Sequence, residues 1–244
     1  MKIVIIIPSR MASKRFPGKP LAKIDGIPMI QRVWQQANAA NIGEVFVACS
    51  ENDVFDLIKG VGGNAIMTDP SLPSGTDRIH SAFKKINNYS EIDYIINLQG
   101  DMPLIESHHI KKVIEPLKNN FQIGTMATNL KREEISNPNI TKVIVDWKKN
   151  NIGHAKEFFR DKKFITDQAF HHVGIYSYLQ KTLTSFVNLP KSKNEVSLEL
   201  EQYRAVDAGM RIGITFEKNI PISIDTKEDL ITAETIIREN NEKN

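Results

Sequence analysis

Residues 3–20 have the sequence IVIIIPSRMASKRFPGKP, and this stretch decides the fold. Ile3–Ile7 is an unbroken apolar run of β-branched residues, which predicts a strand covered on both faces by helices. The segment after it, Ser9–Pro20, combines arginines and lysines with prolines and a glycine that restrict its shape. Because open α/β sheets bind ligands in loops at the carboxyl ends of their strands, this segment is the first candidate for a binding site.

Further apolar runs continue this pattern through the first half of the chain. Val45–Ala48 and Tyr94–Leu98 predict two more buried strands. Amphipathic patterns between and after the strands predict helices at Pro28–Ala40, Asp53–Lys59, Thr76–Lys85 and Ser107–Leu117. Alternating strands and helices predict an α/β fold with a doubly wound, mostly parallel sheet of the Rossmann-like type.

The second half has a different pattern and predicts a smaller lobe of mixed strands over residues 124–190. Its predicted strands are Gly124–Leu130, Lys142–Asp146 and His172–Tyr178. After the lobe, the sequence predicts a helix at Glu195–Ala208 that Gly209 ends, strands at Arg211–Thr215 and Ile222–Ile224, and a last helix from Thr226. Since no internal repeat or low-complexity linker divides the sequence, residues 1–244 are predicted to form a single domain.

The composition indicates a globular protein and argues against several classes of function. The net charge of +3, from 32 basic and 29 acidic residues, is too small to indicate nucleic acid or a membrane as the main partner. The only cysteine, Cys49, cannot form an internal disulfide and is interpreted as a small core residue. No apolar run approaches the roughly 20 residues that span a bilayer, and the run before Pro8 is too short for a signal peptide. A cytoplasmic location is therefore expected.

The cations of the first loop are candidate ligands of a polyphosphate: Arg10, Lys14, Arg15 and Lys19. Arginine offers forked donors and lysine a point charge, and both suit phosphate oxygens. Charge alone favours a solvated basic loop. The residues that fix the loop's shape, Pro17, Gly18 and Pro20, make the binding interpretation equally good, so the choice between the two depends on features elsewhere in the sequence.

Two aspartates far apart in sequence each follow a predicted strand. Asp101 comes shortly after Tyr94–Leu98, and Asp225 directly follows Ile222–Ile224. Carboxylates at such positions suit Mg²⁺, which prefers oxygen ligands and is commonly shared with substrate phosphates. Taken alone, Asp101 is also explained as a turn residue, and Asp225 as an acidic residue favoured at a helix start.

Six short motifs occur in the order that one enzyme family shows. They are Arg10-x-x-Ser13-x-Arg15-x-Pro17-Gly18-Lys19-Pro20-Leu21, Ser74-Gly75-Thr76-Asp77-Arg78, Gln99-Gly100-Asp101-x-Pro103, His172-x-Gly174-Ile175-Tyr176, Leu200-Glu201-Gln202-x-Arg204 and Asp225-Thr226-x-Glu228-Asp229. Together they resemble the sugar nucleotidyltransferases, particularly the 3-deoxy-manno-octulosonate (Kdo) cytidylyltransferases, over residues 3 to about 235.

The resemblance implies a role for each matched residue. The CTP-binding residues it implies are Arg10, Ser13, Arg15, Lys19, Ser74, Thr76 and Arg78. The Mg²⁺ ligands would be Asp101 and Asp225, which with Arg10 and Lys19 form the implied catalytic set. The implied contacts to the sugar acid are Gln99, Arg160, His172, Tyr176, Glu201 and Gln202. Without the resemblance, His172 is explained as a packed or exposed histidine, and Glu201 and Gln202 as helix-surface residues.

One segment departs from the family pattern. The pattern has Ala-x-Tyr-Phe-Ser-Arg, an Ile-Pro turn and a second arginine, whereas this chain has Ala155-Lys156-Glu157-Phe158-Phe159-Arg160-Asp161-Lys162-Lys163-Phe164. Arg160 matches the first arginine, and Lys162 or Lys163 is the candidate substitute for the second. The departure bears on which sugar acid is bound more than on the reaction class.

The activity that the resemblance implies is transfer of CMP from CTP to Kdo, with release of pyrophosphate, in lipopolysaccharide biosynthesis. Two alternatives remain at this point: a cytidylyltransferase for a related acid, such as sialic acid or an amino-octulosonate, and a nucleotide-binding protein without turnover. A homodimer is expected, with the smaller lobe contributing sugar binding and the dimer contact. The lobe's aromatic and apolar residues fit either that contact or core packing: Ile144, Trp147, Phe158, Phe159 and Phe170.

Overall fold

A computed structural model describes residues 1–12, 15–148, 151–166 and 168–242 of the chain. The strands are β1 (Ile3–Pro8), β2 (Lys23–Ile24), β3 (Ile27–Pro28), β4 (Glu44–Cys49), β5 (Asn64–Met67), β6 (Tyr94–Asn97), β7 (Ile123–Thr128), β8 (Lys142–Trp147), β9 (Ile152–Phe159), β10 (Ala169–Leu179) and β11 (Ile212–Phe216). The α-helices are α1 (Met29–Ala39), α2 (Asn52–Gly60), α3 (Gly75–Phe83), α4 (Ser107–Lys112), α5 (Glu115–Lys118), α6 (Gln180–Asn188), α7 (Lys193–Leu198), α8 (Tyr203–Asp207) and α9 (Lys227–Glu242).

The chain divides into two compact units. The first contains Met1–Ile92, Asn97–Ile110 and Pro221–Asn244, and the second contains Asp93–Ile96 and Lys111–Ile220. The predicted smaller lobe, residues 124–190, lies wholly inside the second unit. That the whole chain is a single domain stays a prediction. No helix among the described residues has both the length and the apolar character needed to cross a membrane.

In the first unit the parallel strands lie in the order β5-β4-β1. The predicted strand at Ile3–Ile7 is confirmed, and Val4–Ile7 is almost completely buried, as an unbroken apolar run requires. Helix α1 buries Met29, Ile30, Val33 and Ala37, which recur at helical spacing on one face. Cys49 is fully buried, and this burial raises the pKa of its thiol to about 11, so its interpretation as a core residue is confirmed.

In the second unit the strands lie in the order β6-β10-β7-β11-β9-β8, and β10 also pairs with β8. Strands β7 and β11 run parallel, whereas β9 is antiparallel to both β8 and β11, and β10 is antiparallel to β7 and β8. The second unit thus contains strands of mixed direction, whereas a separate smaller lobe over residues 124–190 stays a prediction. Phe158 and Phe159 are core residues here, while Trp147 packs edge-on against the ring of Phe170 at 5.0 Å between centroids.

Several predicted elements are wrong in detail. The helix predicted at Ser107–Leu117 is two helices, α4 and α5, with Pro116 in the first turn of the second, where its missing N–H costs no hydrogen bond. The helix predicted at Glu195–Ala208 is also two, because Glu199 adopts a left-handed conformation at φ 53°. Ile222–Ile224 is not a strand, since Ile224 N–H donates to the Asp101 carbonyl instead of to a strand partner.

Among the described residues, five strands and α-helices were not predicted from the sequence: β2, β3, β5, β9 and α6. In contrast, two predicted helix boundaries are confirmed: the end of a helix before Gly209 and the start of the last helix at Thr226. Gly209 has φ 75°, as a helix-ending glycine requires. Thr226 and Asp229 form the predicted reciprocal cap, in which the Thr226 hydroxyl accepts from Asp229 N–H at 3.2 Å and the Asp229 carboxylate accepts from Thr226 N–H at 2.9 Å.

Candidate active site

The first unit contains an open cleft of about 390 Å³. The residues that line it are Pro8, Ser9, Arg10, Arg15, Lys19, Pro20, Gly75, Arg78, Gln99, Gly100, Asp101 and Asp225. The structure therefore brings together, in one concave site, seven residues that the sequence predicted: Arg10, Arg15, Lys19, Arg78, Gln99, Asp101 and Asp225. Predicted residue Ser13 and the neighbouring Lys14 lie outside the described residues.

Apolar packing explains why segments more than a hundred residues apart meet at this cleft. Phe16, from the basic loop, is buried in one cluster with Ile224, the residue before Asp225. Ile224 N–H in turn donates to the Asp101 carbonyl at 2.8 Å. One buried side chain and one backbone hydrogen bond thus join the basic loop to both aspartates.

The basic loop has a fixed shape. Gly18 adopts the left-handed conformation at φ 73°, which glycine tolerates without steric cost, and its N–H donates to the Met11 carbonyl at 3.1 Å. Met11 N–H donates to the Glu51 carboxylate at 3.1 Å. Glu51 is the residue directly before α2, so a residue outside the loop also holds the loop in place. Sequence reasoning missed Glu51, because no local pattern connects it to the loop.

The two aspartates share one ammonium group. Lys19 Nζ lies 2.9 Å from Asp101 Oδ2 and 3.4 Å from Asp225 Oδ1, and it also donates to the Ile224 carbonyl at 2.9 Å. Arg15 reaches the same Asp225 oxygen at 3.0 Å. Both carboxylates are partly exposed, at 26% and 36% of the side chain. Asp101 and Asp225 are therefore close enough to act on one bound group.

The chemistry of this donor set fits a magnesium ion. Mg²⁺ prefers oxygen ligands, retains several waters and is usually held by one or two carboxylates together with substrate phosphates. Two partly exposed carboxylates supply such ligands and leave solvent access. The cations beside them, Arg10, Arg15 and Lys19, are the side chains that suit the phosphates.

Helix α3 forms another part of the site. Ser74 caps its N-terminus, accepting a hydrogen bond from Asp77 N–H at 3.1 Å, and its own hydroxyl donates to the Asp77 carboxylate at 2.7 Å. Arg78 is buried and donates to the Thr68 hydroxyl, and its burial lowers the pKa of the guanidinium. Ser74 and Thr76 do not line the cleft, whereas Gly75 between them does.

Two further residues that line the cleft are Gly100 and Ser9. A Cβ atom on Gly100 would lie 2.9 Å from the Pro8 carbonyl oxygen, so only glycine permits this close approach beside Asp101. Ser9 is buried, and within the described residues its hydroxyl has no hydrogen-bond partner. Gly100 lies within the predicted Gln99-Gly100-Asp101 motif, and Ser9 begins the predicted basic segment Ser9–Pro20, so both positions had a signal in the sequence.

The remaining predicted residues lie in the second unit. Tyr176, Glu201 and Gln202 line one small cavity of about 20 Å³. His172 is buried beside this group, with its ring 5.5 Å from that of Tyr176, and Thr125 Oγ1 lies 3.0 Å from its Nε2. Burial lowers the pKa of His172 to about 3, so its imidazole is neutral at physiological pH. Burial likewise raises the pKa of Tyr176.

Glu201 and Gln202 do not lie on a helix surface. They occupy the break between α7 and α8 that Glu199 creates. A buried bidentate ion pair between Arg204 and Glu195 connects the two helices, and Arg204 also lies 3.6 Å from the Glu201 carboxylate. Arg160 follows β9 directly, and its carbonyl accepts from Lys142 at 3.0 Å.

Comparison with known proteins connects these features to one family. The cytidylyltransferase family model matches residues 4–212. A 3-deoxy-manno-octulosonate cytidylyltransferase of Paramagnetospirillum magneticum is 39% identical, covering 96% of this chain and 97% of the relative, and that of Rickettsia typhi is 41% identical, covering 98% of each. The chain belongs to the 3-deoxy-manno-octulosonate cytidylyltransferase family.

Solved structures agree with this family. A CMP:2-keto-3-deoxy-manno-octonic acid synthetase complexed with CTP is similar at a TM-score of 0.89 and 31% identity, covering 98% of this chain and 100% of that one. The 4-diphosphocytidyl-2C-methyl-D-erythritol synthase of Anaerococcus prevotii, at 14% identity and a TM-score of 0.63, shares the fold alone. The α/β fold of this family member is thereby established.

Proposed function

We propose that this chain transfers CMP from CTP to the anomeric hydroxyl of Kdo, releasing pyrophosphate, and thereby supplies the activated sugar acid for lipopolysaccharide biosynthesis. The single observation that carries the proposal is the meeting of Asp101, Asp225 and Lys19 with the arginines of the basic loop in one cleft. Relatives named for this activity, at about 40% identity over nearly the whole chain, support it.

The reaction is an in-line displacement at the α-phosphorus of CTP. The anomeric hydroxyl loses its proton and its oxygen bonds to phosphorus, while the bond to the bridging oxygen of pyrophosphate breaks. Such transfers depend on positioning and on neutralisation of charge more than on covalent chemistry. Arg10, Arg15 and Lys19 are the residues that would bind the phosphates and stabilise the leaving pyrophosphate.

Asp101 and Asp225 would hold Mg²⁺ in this site. When bound, the ion would neutralise phosphate charge and lower the pKa of the attacking hydroxyl. The ammonium of Lys19, which both carboxylates now share, also lines the cleft and would contact a phosphate oxygen once other cations satisfy the carboxylates. In this proposal, Lys19 keeps Asp101 and Asp225 together before substrate binds.

The sugar acid would contact residues that differ in charge and hydrogen-bonding capacity. The proposed contacts in the second unit are Arg160, His172, Tyr176, Glu201 and Gln202. Arg160 is the cation that would bind the carboxylate, because a guanidinium matches it with two parallel donors. Glu201 accepts hydrogen bonds, so it suits hydroxyl groups of the sugar and disfavours a second carboxylate. His172 is neutral and offers one donor and one acceptor.

A pyrophosphate-release assay with CTP, Mg²⁺ and a panel of sugar acids tests the proposal. We expect release with Kdo, and CMP–Kdo as the product by mass spectrometry. Faster release with sialic acid or an amino-octulosonate would assign the chain to that substrate, which the altered segment after Arg160 makes the relevant comparison. Tight CTP binding without release for any acid would identify a binding protein instead.

Other sequence-based expectations stay predictions of this proposal: the doubly wound, mostly parallel arrangement of the sheet, the Mg²⁺ dependence, a homodimer and a cytoplasmic location. The oligomeric state and the metal dependence can each be measured directly. Analytical ultracentrifugation of the purified chain measures the oligomeric state, and pyrophosphate release after chelation by EDTA measures the metal dependence.

A further inference from the structure

Lys142, the first residue of β8, has a fully buried side chain in the second unit. Lysine is almost never buried unless its ammonium is paired. Here Nζ donates to two backbone carbonyls, those of Asn137 at 2.6 Å and Arg160 at 3.0 Å. Burial lowers the pKa of the ammonium, and the nearby Glu134 carboxylate opposes that shift. The side chain thus joins two segments that are far apart in sequence.

Strand register places Lys142 between the two segments that lead to proposed sugar-acid contacts. It is opposite Phe159 on β9, directly before Arg160, and opposite His171 on β10, directly before His172. The carbonyl of the preceding residue, Thr141, accepts from His172 N–H at 2.9 Å. The start of β8 therefore bonds to the backbone of both Arg160 and His172.

Arg160 lies just beyond the end of a strand, where the ladder of β9 no longer holds its backbone. Strand β9 ends at Phe159, and the Ile-Pro turn of the family pattern is absent from the residues that follow. Arg160 Nε is buried, and within the described part of the chain no hydrogen-bond partner satisfies it. Arg160 Nε is thus a donor without a partner among the described residues, while the bond from Lys142 restrains the backbone of Arg160.

We propose that Lys142 is a positioning residue, which fixes the backbone of Arg160 and the turn at Asn137 so that the Arg160 guanidinium meets the carboxylate of the sugar acid. The inference rests on the proposed function. Binding geometry is sensitive to such supports, because a displacement of about 1 Å caused by a distant substitution can cost roughly 100-fold in rate. Lys142 touches backbone carbonyls and not substrate, so its effect is on the sugar acid's affinity.

Lys142→Met tests the proposal, because methionine keeps most of the volume and removes the donor. In the pyrophosphate-release assay we expect the KM for Kdo to rise at least tenfold while the KM for CTP stays within twofold of wild type. Lys156→Met is the matched control, since Lys156 lies on neighbouring β9 with an exposed side chain paired to Asp146, and both KM values should be unchanged. Equal increases in both KM values, or no increase for Kdo, would overturn the inference.

A second readout does not depend on turnover. Amide hydrogen exchange measured by mass spectrometry should be at least tenfold faster in Lys142→Met for peptides covering residues 131–140 and 160–166, with peptides of β1 and β4 unchanged. Unchanged exchange in both peptides would refute the positioning role even in a fully active enzyme. A wild-type chain that releases no pyrophosphate would defeat the proposed function, while the exchange result would still decide whether Lys142 restrains these segments.

Lys142→Arg is the second variant for this test, to be used if Lys142→Met does not fold. Arginine keeps the charge and donors but is longer, so it should displace the Arg160 carbonyl and raise the KM for Kdo without affecting that for CTP. If hydrogen exchange near residue 160 is altered but the KM values for both substrates equal those of wild type, the position of this backbone does not set the affinity for the sugar acid.

Discussion

Replacement of Asp101 by asparagine separates the catalytic role of this residue from its structural role. The substitution keeps the size of the side chain and one carbonyl oxygen but removes the charge that the proposed magnesium site requires. Its effect on the fold should be small, because the hydrogen bond that joins Asp101 to Ile224 uses the backbone carbonyl and is retained. The lost interaction is the ion pair with Lys19 at 2.9 Å.

The expected effect on stability is small, because the ion pair is partly exposed, whereas the expected effect on kcat is large. The side chains of Asp101 and Lys19 are 26% and 15% exposed, and ion pairs near the surface contribute up to about 1 kcal/mol. A loss of that size lowers the Tm by roughly 2–4 °C in a protein of this length. Removal of a group that stabilises developing charge costs about 3–4 kcal/mol in the transition state, which is roughly 10²–10³ in kcat.

The assay is pyrophosphate release at saturating CTP, Kdo and Mg²⁺, with thermal unfolding measured on the same preparation. We expect kcat to fall at least about 100-fold with a Tm within about 5 °C of wild type. Asp56→Asn is the matched control: Asp56 is exposed on α2, and its variant should keep wild-type turnover. If the kcat of Asp101→Asn lies within tenfold of the wild-type value, the negative charge of Asp101 is not required for catalysis, and the proposed role is refuted.

Arg15→Ala should weaken CTP binding about tenfold in a calorimetric titration, because it removes one proposed phosphate donor; unchanged affinity would remove Arg15 from the phosphate site. Arg160→Ala should mainly raise the KM for the sugar acid, and an effect confined to CTP would contradict that assignment. His172 has a pKa of about 3 when folded and about 6.5 when unfolded, so the unfolded state binds more protons between these values. Its contribution to stability is present above pH 6.5 and lost as the pH falls toward 3. The free energy of unfolding, measured with urea from pH 4 to 7, should rise less steeply with pH in His172→Asn than in wild type. An equal dependence on pH in the two proteins would contradict a neutral buried imidazole.

Much of the fold follows from local pattern. The unbroken apolar runs at Ile3–Ile7 and Val45–Ala48 predicted buried parallel strands, and the structure confirms both. The break at Glu199 was not predictable, because glutamate is a good helix former and no local pattern signals its left-handed conformation. Ile222–Ile224 likewise has strand propensity, yet its backbone bonds to Asp101, a contact that no local pattern contains.

The candidate site shows the same division. Lys19, Asp101 and Asp225 were predicted from their motifs, and the structure places them within one set of ion pairs. Glu51 and Lys142 were missed, since each acts on backbone groups distant in sequence. Side chains predicted to contact ligand lie in recognisable motifs, whereas the residues that support them depend on three-dimensional contacts that a single sequence does not show.

The most direct test of the central claim is a Mn²⁺ titration followed by electron paramagnetic resonance, with Mn²⁺ replacing Mg²⁺ in the presence of CTP. Wild-type protein should bind the ion at a saturable site, and Asp101→Asn and Asp225→Asn should each weaken that binding at least tenfold. Wild-type affinity in both variants would show that these two aspartates do not hold the metal together.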